Sequence, residues 1–256
     1  MRRSLLPLAL TLACSAPTQD PYALLDAAIH QAGGAVALSA ARALTWDGHA
    51  TFSIGRSISN LAGRWQLQLP DTAIVAMYDT TLGPSTAQAV VIASPRGWVV
   101  RNDRFTAMTE PVAATERDAF YLYDVIRLVT LRNDAVTLSG IRPDSLGQRG
   151  FRAEQPGRPP VDLFVDSTGR LSHVRLIVAN PTGGPAFQRD VWLDGELVAG
   201  GIRWPRRMRV LLNGSQYFDL TMRDLKVSDR LEDPLLAGPE SIAGGRVNVA
   251  ARVVVN

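Results

Sequence analysis

The spacing of apolar positions along this chain changes period more than once. From Asp20 to Ala32 (DPYALLDAAIHQA), Leu24, Leu25, Ala28 and Ile29 share one helical face. Asp20 is placed to cap that helix, Pro21 suits its first turn, and Gly33-Gly34 ends it. A short helical or coil piece over Ala35–Arg42 follows, and from Leu44 onward the period is two. Phe52 and Ile54 alternate with polar neighbours, as do Trp65, Leu67 and Leu69 before the turn Pro70-Asp71. Further strands are predicted at Ala73–Tyr78, Ala89–Ile92, Trp98–Val100, Ala135–Leu138, Gly150–Glu154, Val161–Val165 and Leu171–Val178. Val191–Leu193, Gly201–Trp204, Met208–Leu212 and Tyr217–Val227 complete the set, with Gly, Pro, Asn and Asp between the runs. That is the pattern of a large antiparallel sheet.

One segment interrupts the alternation. Thr115 to Arg132 holds no Gly or Pro, and Ala119, Phe120, Tyr123 and Ile126 recur at helical spacing. Thr115 and Asp118 resemble a capping box that starts this helix. No linker divides the chain, so one domain is expected over 20–238. Residues 239–256 form a Gly-rich loop and an alternating stretch, Val247 to Val255, that suits a final edge strand or a tail.

The first residues carry a different signal. MRRSLLPLALTLACSAP pairs Arg2 and Arg3 with an apolar run and then small residues, the order of an export signal over 1–13. The run is too short to span a bilayer. Leu10-Thr11-Leu12-Ala13-Cys14 resembles the lipobox of bacterial lipoproteins, which implies lipidation of Cys14 ahead of a linker over 14–19; the other reading is a plain secretory signal cut near Ala13 or Ser15. Cys14 is the only cysteine, so no internal disulfide forms.

Charge narrows the function classes. The 27 basic residues are 26 Arg and Lys226, against 24 acidic ones, and removal of Arg2 and Arg3 leaves 25 against 24. A chain so balanced lacks the concentrated basic surface that nucleic acid requires. Signatures of nucleophile elbows, zinc helices, phosphate loops and dinucleotide turns are missing, and His30, His49 and His173 have no ligand-like spacing. A dispersed polar site around Asp162, Asp166 and His173 is the enzymatic alternative; Asp166-Ser167-Thr168-Gly169 itself reads as a hairpin turn. Trp65, Trp98, Phe120, Tyr121 and Tyr123 are candidates to line a ligand cavity between sheet and helix, or else to fill a core. Arg203, Arg207 and Arg209 would share one face of a strand, with Arg206 on the other. They form a candidate patch for lipid headgroups or a partner, or an ordinary solvated face.

Three segments resemble the LolA-like outer-membrane lipoprotein carrier and sorting superfamily: Leu25–Gly48, Gly97–Arg101 with Met108 and Phe120–Tyr123, and Gly201–Val227 running to Asp233-Pro234. The resemblance rests on order and spacing over most of 22–237. It implies an α+β, mostly antiparallel fold, an incomplete half-barrel of roughly eleven strands with helices covering the concave side. It also implies a non-enzymatic protein that binds lipid or lipoprotein acyl chains, without cofactor or metal. Joined to Cys14, it places a monomeric, lipid-anchored protein on the periplasmic face of the bacterial outer membrane. The alternative function is an envelope sensor or interaction protein with the same fold and a filled interior.

Overall fold

The computed structural model describes residues 20–102, 104–178, 184–238 and 248–253, so the leader, Cys14 and the linker lie outside it. Helix α1 (Pro21–Gln31) is capped by Asp20, whose carboxylate accepts from the Tyr22 N–H at 3.0 Å, and its buried stripe is Leu24, Leu25, Ala28 and Ile29. Gly33 follows with φ of +114°, and a Cβ there would sit 2.2 Å from the Gly201 carbonyl oxygen. Only glycine permits that approach. The contact is fastened by the Arg203 N–H donating to the Ala32 carbonyl at 2.8 Å. Helix α2 (Ala35–Ala40) then leads into the sheet.

The first six strands are a meander: β1 (Ala43–Ile54), β2 (Ser57–Gln68), β3 (Thr72–Asp79), β4 (Gln88–Ala93), β5 (Arg96–Arg101) and β6 (Arg104–Ala107). Helix α3 (Glu110–Ile126) and a 3-10 turn at Val129–Arg132 carry the chain across to β7 (Thr137–Ile141), β8 (Arg149–Glu154), β9 (Val161–Val165), β10 (Leu171–Val178) and β11 (Phe187–Asp194). A ribbon of β12 (Leu197–Ala199) and β13 (Ile202–Trp204) precedes the long hairpin β14 (Arg207–Leu212) and β15 (Ser215–Ser228). Strand β15 pairs with β1, setting Phe218 opposite Phe52 and Val227 opposite Leu44. This joint makes one antiparallel sheet of thirteen strands, in the order β6-β5-β4-β3-β2-β1-β15-β14-β11-β10-β9-β8-β7. Strands β6 and β7 are its two unpaired edges, so the barrel is open.

The expected half-barrel is therefore present, with fifteen strands among the described residues in place of about eleven. The extra count comes from pieces such as β6 and β12, too short for alternation to register. Helix α3 also begins earlier than the capping-box reading: Thr109 is its N-cap and Pro111 lies in its first turn, while the Thr115 hydroxyl donates back to the Pro111 carbonyl. It stops at Ile126 because buried Leu128 adopts φ of +62° and breaks the helical ladder. At the C-terminus, residues 250–253 form a short helix α4 where alternation suggested an edge strand. Asn248 accepts from the Ala251 N–H at 2.9 Å, and Val249 is buried against the convex side of the sheet.

Two apolar clusters follow from the alternation of the strands. The larger lies on the concave side, where α1, α2 and α3 cover Leu44, Trp46, Trp65, Leu67, Leu163, Val174 and their neighbours. The smaller lies on the convex side over β3 to β5, beneath Leu235 and Val249.

Candidate functional site

The concave trough is lined by alternate residues of the thirteen-stranded sheet, with the alternation interrupted at bulges in β10 and β15. Trp46 stands directly opposite Trp65 across β1 and β2, and Leu44 opposite Leu67. Tyr123 of α3 approaches Trp46 at 5.5 Å between ring centroids, Trp204 of β13 approaches it at 6.0 Å, and Phe120 stacks on Tyr123 at 6.2 Å. Burial pushes the Tyr123 phenol well above its ordinary value. Beneath the helices the trough is thus packed with aromatic rings. A small cavity of about 30 Å³ lies between α1 and the sheet, bounded by Ala28, Leu128 and Leu193 with Gln31, Arg170 and Arg203. The buried indole N–H groups of Trp46 and Trp204 have no hydrogen-bond partner among the described residues, which costs roughly 1–3 kcal/mol each.

Towards the free end of the β1–β2 hairpin the packing loosens. Phe52, Leu61, Met77 and Phe218 keep the concave parity, and Tyr217 joins them as the extra residue of a bulge in β15; all five are only half-buried, and Ile54 and Ile58 at the tip are 60% and 68% exposed. Phe52 meets Tyr217 edge-on at 4.7 Å and Phe218 at 6.2 Å. Leu61 and Met77 also edge a cleft of about 440 Å³ with Gln88 and Arg101. Arg101 donates to the Gln88 side chain.

Arg189 of β11 faces the same trough. It shares the parity of buried Val191 and lies between Leu176 of β10 and Leu212 of β14. Its Nε is buried without a hydrogen-bond partner, and it makes no ion pair among the described residues. Burial holds its guanidinium below the ordinary value, against the opposing pull of Tyr217 and Asp118. The Tyr217 phenol is pushed up by burial and by Glu116, against Arg189. Glu116, on α3, is pushed up by burial.

The convex side is organised differently. Arg152 pairs with Asp162 at 2.7 Å, and Arg175 with Asp190 at 2.7 Å, across neighbouring strands. His173 is 0% exposed. Its Nε2 lies 2.8 Å from Asp190 and its Nδ1 3.4 Å from Asp144, while Trp192 and Phe164 stack on its two faces at 4.0 and 4.9 Å. Burial would raise the Asp190 carboxyl, but hydrogen bonds from Gln188, Arg175 and His173 hold it below its ordinary value.

These positions sort the residues predicted from sequence. Trp65, Phe120, Tyr121 and Tyr123 come together in the concave cluster. Trp98 does not: it pairs with Val91 on the convex parity of β5 and packs with Ile74 and Leu235, since Gly97 and Val99 take the concave positions. The arginine patch is not one face either. Pro205 separates Arg203, on the β12–β13 ribbon, from Arg207 and Arg209 on β14, and Arg206 is solvent-exposed instead of facing inward. Arg203 pairs with Glu196 at 2.9 Å and Arg207 with Asp219 at 2.6 Å, so their charges are largely matched. Of the dispersed polar residues, Asp166 is confined to its turn, accepting from the Thr168 N–H at 2.8 Å. The His173 cluster brings carboxylates around an imidazole, but sealed ring faces leave no room for a substrate. Sequence reasoning missed Trp46, Trp204, Asp144 and Arg189. Arg189 could have been found by extending the Val191–Leu193 alternation two residues upstream.

An open antiparallel half-barrel with a helix-covered, aromatic concave face defines a LolA-like fold. Solved structures bear this out. A LolA superfamily protein from Nitrosomonas europaea superposes with a TM-score of 0.53 at 13% identity, covering 82% of this chain and 94% of that one. A domain described as outer membrane lipoprotein-sorting, from Vibrio parahaemolyticus, gives 0.54 at 11% identity over 87% and 99%. A DUF1329 family protein from Desulfovibrio piger gives 0.53 at 10% over 85% and 98%. No family model and no curated protein sequence matches the chain.

Proposed function

We propose that this protein is a non-enzymatic binder of lipid or lipoprotein acyl chains in the bacterial envelope, acting in lipid or lipoprotein sorting. The observation that carries the reading is the half-buried apolar stretch of the trough: Phe52, Leu61, Met77, Tyr217 and Phe218, continuous with the aromatic cluster under α3. Each methylene buried there contributes about 0.8 kcal/mol, so ~10 of them offset the cost of association with no polar motif. Domains of the same fold include one described as lipoprotein-sorting, which supports the same role here. The leader and Cys14 support a protein that is itself lipidated and held at the periplasmic face of the outer membrane, and the proposal takes it as a monomer.

A fluorescent fatty acid titrated into the folded, delipidated protein tests the reading. Saturable binding that is lost when Phe52 and Phe218 are replaced by Asp is the expected result, and a wild-type protein that binds no probe overturns it. Membrane attachment has its own test, since a Cys14→Ser variant that stays fully membrane-bound excludes lipidation there as the anchor. The packed aromatic interior favours a second reading, an envelope sensor or interaction protein with a filled trough. Recovery of a stable envelope partner with lipid-free protein would support that reading.

A further inference from the structure

Arg189 stands out within the trough. Parity places it among Leu176, Val191 and Leu212, its Nε is buried without a partner, and no carboxylate reaches ion-pairing distance among the described residues. Four other arginines on strands of this sheet are matched: Arg64 with Asp47, Arg152 with Asp162, Arg175 with Asp190 and Arg207 with Asp219, each within 2.7 Å. A guanidinium stays charged at any accessible pH, and one held half-buried with a shielded Nε and no acidic partner gains from an anion that completes it. Tyr217, which contacts Phe52 at the half-buried end of the trough, bulges from β15 beside Leu211, the neighbour of the Leu212 that pairs with Arg189. Burial keeps its phenol protonated, so it can donate a second hydrogen bond.

We propose that Arg189, with the Tyr217 hydroxyl, receives the oxyanion head of an amphiphile whose acyl chain lies along Phe52 and Phe218. This deepens the acyl-binding function proposed above and rests on it: the ligand is an acidic lipid, carrying a carboxylate or phosphate, and not a neutral ester. A single charge-assisted fork to an oxyanion in an apolar setting sets the head's position and gives preference over an uncharged analogue of equal chain length.

The test compares a fluorescent fatty acid with its methyl ester, and lysophosphatidate with monoacylglycerol, on the full folded protein. Wild type should bind each acid about tenfold more tightly than its neutral partner. Arg189→Met should bring acid and ester to within about twofold while keeping ester affinity, which also reports an intact trough. Arg189→Lys should keep part of the preference, and Tyr217→Phe should lose a smaller part. A preference for only one of the two acids identifies the head as carboxylate or phosphate. Equal wild-type binding of acid and ester overturns the head-group site while leaving the acyl trough standing, and so does a preference that survives in Arg189→Met. Binding of none of the four ligands overturns both.

Discussion

At the scale of single residues, the convex network around His173 shows how buried charge is tolerated. Asp190 accepts from Gln188 at 2.7 Å, pairs with Arg175 at 2.7 Å and lies 2.8 Å from His173. Removing one member of such a set leaves its partners desolvated, a loss of about 3–5 kcal/mol. Asp190→Asn should therefore lower the unfolding free energy read from urea denaturation at pH 7 by a margin of that order. Its pH dependence follows from the carboxyl being held below its ordinary 3.8. The unfolded chain takes up this proton first as pH falls, so the stabilisation is full well above 3.8 and fades through the depressed folded value. The gap between wild type and Asp190→Asn should narrow when unfolding is measured at progressively lower pH in that acidic range. Deep in the concave core the relevant term is packing: Trp46→Ala should cost about 3–5 kcal/mol, read as a loss of equilibrium stability.

At the scale of elements, α3 carries a charge it does not accommodate well. Burial raises the Glu116 carboxyl above its ordinary 4.5, so the native state binds this proton more readily than the unfolded chain. Stability is then fully present below 4.5 and falls as pH rises through the raised folded value. Glu116→Gln should melt higher than wild type at pH 7, and the difference should disappear when both are measured below pH 4.5. The same helix marks where the sequence was legible and where it was not. Helix α1 reads to within a residue because its cap, proline and apolar stripe agree. The start of α3 is displaced because Thr115 imitates a cap, while the true start at Glu110-Pro111 follows immediately on a short edge strand with no alternation of its own. Strand positions were legible from period two. The facing of Trp98 was not, since alternation fixes which residues share a side without saying which side is concave. That choice depends on β15 joining β1, a pairing between residues some 170 positions apart that no local pattern encodes. Arg189 was hidden for a simpler reason: an arginine at the start of a strand reads as solvent-facing unless its parity is followed.

At the scale of the whole molecule, an acyl ligand bound to the folded state and not to the unfolded chain must stabilise the protein by mass action. At a concentration of one hundred times its dissociation constant the gain is about 2.7 kcal/mol. For a domain of this size that is a rise of roughly 5–10 °C in melting temperature. A fatty acid that shows no such rise at saturation would argue against a folded-state site.

The chain leaves the sheet at one free edge, β6, and re-enters it at the other, β7, with α3 between them. Geometrically the sheet is an arc and this helix is its chord. Seventeen residues of α-helix are about 25 Å long, a length that does not stretch. The N-terminal end of this rod follows directly on the β6 edge, and its other end reaches the β7 edge through the 3-10 turn at Val129–Arg132. Lifting α3 to admit a guest would therefore pull on the β5–β6 edge, where the Met108 N–H donates to the Gly97 carbonyl at 2.9 Å.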